Sequence, residues 1–113
     1  MRRLEADITR QSSKLRAIRE LLDGDHVCRE IVHYLVRHNE AADTTSGIAE
    51  WWIKRNVPQT ANALTKLREY GVVRSHVVQD TSSVYTLTKS RFVRGTLREY
   101  IDRLPSAMGL ERR

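Results

Sequence analysis

The sequence predicts a mainly α-helical fold carrying one small β-hairpin. Three observations predict it. Apolar residues recur at helical spacing in separate stretches, two short β-branched runs with period-two alternation lie either side of a polar turn, and Gly, Asp, Asn or Pro marks the breaks. At 113 residues the chain fits one small domain, whose modest core gains from extra burial against a partner.

The first stretch sets Leu4, Ile8, Leu15, Ile18 and Leu22 at alternating helical spacings, with Gln11 at the remaining seam position, a short coiled-coil stripe. Asp23-Gly24-Asp25 stops this helix and offers a new N-cap, so a second helix is expected from about His26 to Arg37. Its apolar arc, Val27, Cys28, Ile31, Val32, Tyr34, Leu35 and Val36, is wider than one core face needs. Either the helix is central and buried on several sides, or a second subunit covers part of it, and both can hold.

Asn39 to Thr44 reads as a polar loop, after which Thr45 or Ser46 caps a short helix carrying Ile48, Ala49, Trp52 and Ile53. Free N–H groups beside those hydroxyls suit simple capping or a phosphate. Trp51 and Trp52 are adjacent and cannot share one buried face, so one belongs to the core and the other to a flanking helix, a subunit boundary or a ligand.

Lys54-Arg55-Asn56 breaks the pattern again, with Asn56 a suitable N-cap and Pro58 inside the first turn of the next helix. Along that helix Val57, Thr60, Ala61, Leu64 and Leu67 are expected on one side, with Gln59, Asn62 and Lys66 opposite. Gly71 stands where a left-handed residue ends a helix, Val72 to Val78 has strand character, Gln79 to Ser83 turns the chain, and Val84 to Thr88 returns. After Lys89, the pattern Val93, Leu97, Tyr100, Ile101 and Leu104 describes a last amphipathic helix, ended by Pro105 and followed by a tail expected to fray.

Helix, tight turn, helix and hairpin over Thr45 to Thr88 make a winged helix-turn-helix, flanked here by N- and C-terminal helices. The expected organisation is an N-terminal dimerisation helix at 1–23, the winged unit at 24–90, and a C-terminal dimerisation helix with a short tail at 91–113. Because the terminal stripes lie outside the winged unit, a symmetric homodimer is expected, with packing of both helices within one chain as the alternative.

That order of elements suits a major groove flanked by phosphates. Gln59 and Asn62 are candidates for paired bonds to adenine, Lys66 for guanine acceptors or phosphate, and Arg55 in the turn for phosphate. Arg74 and His76 can reach the backbone from the hairpin, and Thr45 and Ser46 from the helix entrance. The hairpin tip Gln79-Asp80-Thr81-Ser82-Ser83 lacks Arg or Lys, and Asp80 repels phosphate. The plain alternative for the helix face is a solvated polar stripe.

The segment NVPQTANALTKLREYGVVRS, with Leu64, Leu67, Gly71 and Val73, is similar to the recognition-helix segment of MarR- and ArsR-like winged-helix transcriptional regulators, over roughly residues 26–90. The resemblance implies a recognition helix in the major groove, a wing on the backbone or minor groove, and a homodimer built by terminal helices.

Composition bounds the rest. The 20 Lys+Arg against 14 Asp+Glu leave a net charge of +6, which favours polyanions, although the excess is spread along the chain. A single cysteine excludes an intramolecular disulfide and suits a reducing cytoplasm. The N-terminus is too polar for a secretory signal, and no apolar run approaches the roughly 20 residues of a membrane span. There is no Gly-rich phosphate loop, nucleophile elbow or acid/base constellation, so no enzyme and no cofactor are expected. His26, Cys28, His33 and His38 raise a metal sensor, but positions 28 and 33 diverge on a helix and no paired Cys spacing exists, so they read as packed or surface groups and no metal is expected. The expectation is a cytoplasmic, sequence-specific double-stranded DNA-binding transcriptional regulator acting as a homodimer, with a protein-binding winged-helix module as the alternative.

Overall fold

A computed structural model describes residues 2–78 and 82–104, with side chains from residue 12 onward. The elements run α1 (Arg2–Gly24), α2 (His26–Arg37), β1 (Ala42–Asp43), α3, α4 (Val57–Glu69), β2 (Val73–Val77), β3 (Ser83–Leu87) and α5 (Arg91–Asp102). α3 opens as an α-helix at Thr45–Gly47 and continues as a π-helical turn at Ile48–Trp52. The fold is therefore mainly α with a small antiparallel sheet.

The local reasons are legible residue by residue. At the α1–α2 break, Asp25 is extended and its side chain accepts the N–H groups of Val27 and Cys28, which starts α2 at His26. Arg29 reaches back to the carbonyl of Leu22 at 3.2 Å, closing one of the open carbonyls at the end of α1. Asn56 caps α4 through the N–H of Gln59, with Pro58 in the first turn, and Gly71 ends the segment at φ 77. Ser90 caps α5 through Val93.

α2 is the central helix. It packs against α1, α3, α4 and α5, which accounts for its wide apolar arc within one chain. The core joins Ile18 and Leu22 of α1, Ile31, Val32 and Leu35 of α2, Leu64 and Leu67 of α4, and Val93, Leu97 and Ile101 of α5. Tyr100 ties α5 to the end of α1 by donating to Asp23 at 2.6 Å.

Four expectations need correction. The loop before α3 contains a two-residue strand, so the hairpin becomes a three-stranded sheet of order β1-β3-β2, with Ala42 opposite Thr86 and Asp43 opposite Tyr85. Two residues are too few for a period to show. Neither Thr45 nor Ser46 caps α3, because Thr44 does so by accepting from Gly47 N–H at 3.1 Å. Val57 is exposed, whereas Ala63 is buried, so the buried side of α4 is turned toward Thr60, Ala63, Leu64 and Leu67. The apolar stripe of α5, expected outside the compact unit, is covered by α1 and α2 of its own chain, and Leu97 and Ile101 are buried there. Amphipathicity says that a stripe must be covered without saying by what. The expected tip residues Gln79, Asp80 and Thr81, and the tail beyond Leu104, lie outside the described residues.

Candidate functional site

α2 and α4 run antiparallel, and three contacts set the register. Lys66 Nζ donates to Asp25 Oδ2 at 2.9 Å, Cys28 Sγ lies 3.6 Å from the Ala63 carbonyl, and Arg55 meets Glu30. With the inner face of α4 held this way, the outer face follows from 100° per residue. Asn62 and Thr65 lie on that outer face and both are exposed, as are Pro58 and Glu69, with Gln59 exposed to one side of them. Thr65 was not among the residues singled out from sequence. Placing Ala63 rather than Val57 in the buried set turns the wheel enough to find it.

Lys66, expected on that outer face, lies at the edge of the core, half-buried and paired with Asp25. The Asp25 bond raises the Lys66 pKa.

Between α3 and α4 the chain turns through Lys54 at φ 56, a left-handed conformation unusual for a residue with a side chain. Arg55 leaves that turn toward α2, where Nε and Nη2 donate to the two carboxylate oxygens of Glu30 at 2.8 and 2.6 Å. The paired fork raises the Arg55 pKa, the Glu30 hydrogen bond being the main cause. Asp25 and Glu30 thus bring the cations of positions 66 and 55 to α2, relationships across 41 and 25 residues that no local pattern carries.

At the entrance to α3, Thr45 is half-buried and Ser46 exposed. The Asp43 carboxylate accepts from Thr44 N–H at 2.7 Å, and a Cβ at position 47 would run into it, so this entrance depends on Gly47. An anion already stands there, supplied by the chain. On β2, Arg74 and His76 are both exposed and point to the same side of the strand, with His76 Nε2 3.4 Å from Thr86 Oγ1 of β3.

A cleft of about 590 Å³ opens beside the turn, between α2 and α3, lined by Tyr34, Arg37, His38, Trp51, Trp52 and Lys54 among others. Trp52 stacks on Tyr34 at 4.4 Å between centroids and is the packed member of the pair. Trp51 is 67% exposed, with Lys54 Nζ 5.3 Å from its ring centroid. Among the described residues, no group of three or more His, Cys, Asp or Glu is placed to hold a metal ion.

The overall fold has a counterpart among solved structures. The chain is similar to MepR, a transcription regulator of the Staphylococcus aureus multidrug efflux pump MepA, with a TM-score of 0.55 and 19% identity over 96% of this chain and 87% of that one. The fold is a winged helix-turn-helix. No family model and no curated protein sequence matches the chain. Within this winged fold, α4 is the second helix of the helix-turn-helix and β2–β3 form the hairpin that follows it. No described helix is long and apolar enough to cross a membrane.

Proposed function

We propose that the chain is a sequence-specific, double-stranded DNA-binding transcriptional regulator that acts as a homodimer in the cytoplasm. The observation that carries this reading is the outer face of α4, where Gln59, Asn62 and Thr65 stand exposed from a capped, Pro-containing first turn onward, in a fold shared with a transcription regulator. Two amides and a hydroxyl on one helix face suit the donor and acceptor pattern of a major groove, Gln and Asn pairing best with adenine. Arg55, Lys66, Arg74 and His76 then serve the flanking phosphates, with Thr45 and Ser46 beside them.

For the homodimer, the support is apolar surface that the chain leaves exposed. Phe92 at the start of α5 is 62% exposed, and α1, 23 residues or about 34 Å long, packs against the core through Leu15, Ile18, Leu21 and Leu22 of its second half. A second copy that covers Phe92 would join two α4 helices in one symmetric assembly, as paired half-sites on a duplex require.

Fluorescence anisotropy with a labelled mixed-sequence duplex tests the reading. Affinity should fall linearly in its logarithm with the logarithm of salt concentration, as phosphate contacts require. No binding at low salt would refute it. A second reading, a winged module that docks on a protein, draws on the exposed Trp51 and on Val77, which is 72% exposed at the hairpin. It predicts no preference for one duplex sequence over another under the same conditions.

A further inference from the structure

We infer that Glu30 of α2 is a specificity-determining residue for the duplex binding proposed above: it occupies Arg55 with a carboxylate and so suppresses binding to DNA in general. The inference rests on that reading of the function. Its physical basis is the fork. A guanidinium that presents two parallel N–H groups, here Nε and Nη2 at 2.8 and 2.6 Å from the Glu30 oxygens, presents the same geometry that a phosphate takes. Glu30 therefore stands where a backbone phosphate would stand, and the two compete for one donor set.

The pair is placed to open. Its side chains are 27% and 23% exposed, so water reaches both partners, and Arg55 springs from the turn directly before the first residues of α4. Asp25 differs in this respect. Its second oxygen is engaged by the N–H groups of Val27 and Cys28, so releasing Lys66 leaves the helix cap in place and the carboxylate fixed beside it. Glu30 takes both of its bonds from Arg55 itself. Lys66 is thus held in position on α4, whereas Arg55 is held in reserve.

A duplex that docks only through its phosphates must displace Glu30 to gain Arg55, and the exchange of one anion for another yields little. A duplex whose base edges seat α4 brings a phosphate to the turn at fixed distance, and the exchange then proceeds as part of a larger contact set. Glu30 lowers affinity for the first kind of site more than for the second. The gain is discrimination.

The test compares wild type, Glu30→Gln and the double variant Glu30→Gln/Arg55→Ala on a mixed-sequence duplex across a salt series. Glu30→Gln should bind this duplex about two- to fivefold more tightly, the range set by exposed ion pairs, and its slope of log affinity against log salt should steepen by about 0.9, one added phosphate. The double variant should lose both effects. A merely structural role for Glu30 would alter thermal stability without steepening the slope. Glu30→Ala, which retains helix propensity, replaces Glu30→Gln if that variant fails to fold. If wild type binds with ordinary salt dependence and Glu30→Gln matches it in affinity and slope, the role of Glu30 is overturned while DNA binding stands. If no variant binds any duplex, both fall.

Discussion

The Nζ of Lys66 donates to Oδ2 of Asp25 at 2.9 Å, while Oδ1 of the same carboxylate accepts the N–H groups of Val27 and Cys28 at 3.1 Å each. One side chain therefore starts α2 and fixes α4 against it. Burial pushes the Asp25 carboxyl up, but the hydrogen bonds from Lys66 and Cys28 outweigh it and hold the pKa below 3.8. A pKa depressed by folding stabilises above the unfolded value and ceases to do so as pH falls. Asp25→Ala should cost about 0.5–2 kcal/mol at neutral pH through the lost cap, and Asp25→Asn less because Asn also caps. Urea titrations should show the gap between wild type and Asp25→Ala narrowing below pH 3.8. A gap constant through that range would contradict the charged role.

Cys28 sits fully buried beside the Ala63 carbonyl, and burial, followed by the nearby Asp25 charge, pushes its thiol up to about 12 from 9.0. The folded pKa lies above the unfolded one, so the contribution to stability is complete below 9.0 and is lost as pH rises toward about 12. Iodoacetamide should label Cys28 far more slowly in the native chain than in urea, and Cys28→Ala should flatten the alkaline loss of stability. Equal labelling rates would show that the thiol is not held in the core.

α5 carries two apolar residues with different duties. Leu97 is 0% and Phe92 62% exposed. Leu97→Ala should destabilise the monomer fold by about 2–5 kcal/mol, as large-to-small changes in a packed core do. Phe92→Ser should shift sedimentation from dimer to monomer and remove the concentration dependence of the thermal midpoint. A wild-type chain that sediments as a monomer at high concentration would exclude the homodimer.

The two tryptophans divide in the same way. Trp52→Ala removes the stacking on Tyr34, worth about 0.5–1.5 kcal/mol beyond its burial, whereas Trp51→Ala should cost little. Since the chain has only these two, emission left after Trp51→Ala should peak at shorter wavelength than that left after Trp52→Ala. The reverse order would place the wrong ring against α2.

What could be read from the sequence was what is local. Asp25, Asn56, Pro58 and Gly71 act on their immediate neighbours, and each stands where its chemistry indicates, which set the ends of α2 and α4. β1 escaped because its two residues gain strand character only by pairing with Thr86 and Tyr85. Ala63 rather than Val57 sets the phase of α4, because α2 approaches closely there, as the contact with Cys28 marks, and helical spacing alone carries no sign of that approach. The partners of Arg55 and Lys66 depend on the antiparallel register of α2 and α4, which emerges only when the core is assembled.

The most direct test of the central claim is selection of duplexes from a random pool at fixed, near-physiological salt, by wild type and by Asn62→Ala. Wild type should enrich a two-fold symmetric sequence. Asn62→Ala should lose preference at particular base pairs, each bidentate contact being worth about 1–3 kcal/mol of discrimination, while keeping the fold and most of the affinity for mixed-sequence DNA. Enrichment of no sequence by wild type, or an identical enriched sequence from folded Asn62→Ala, would contradict reading of the groove by this face of α4.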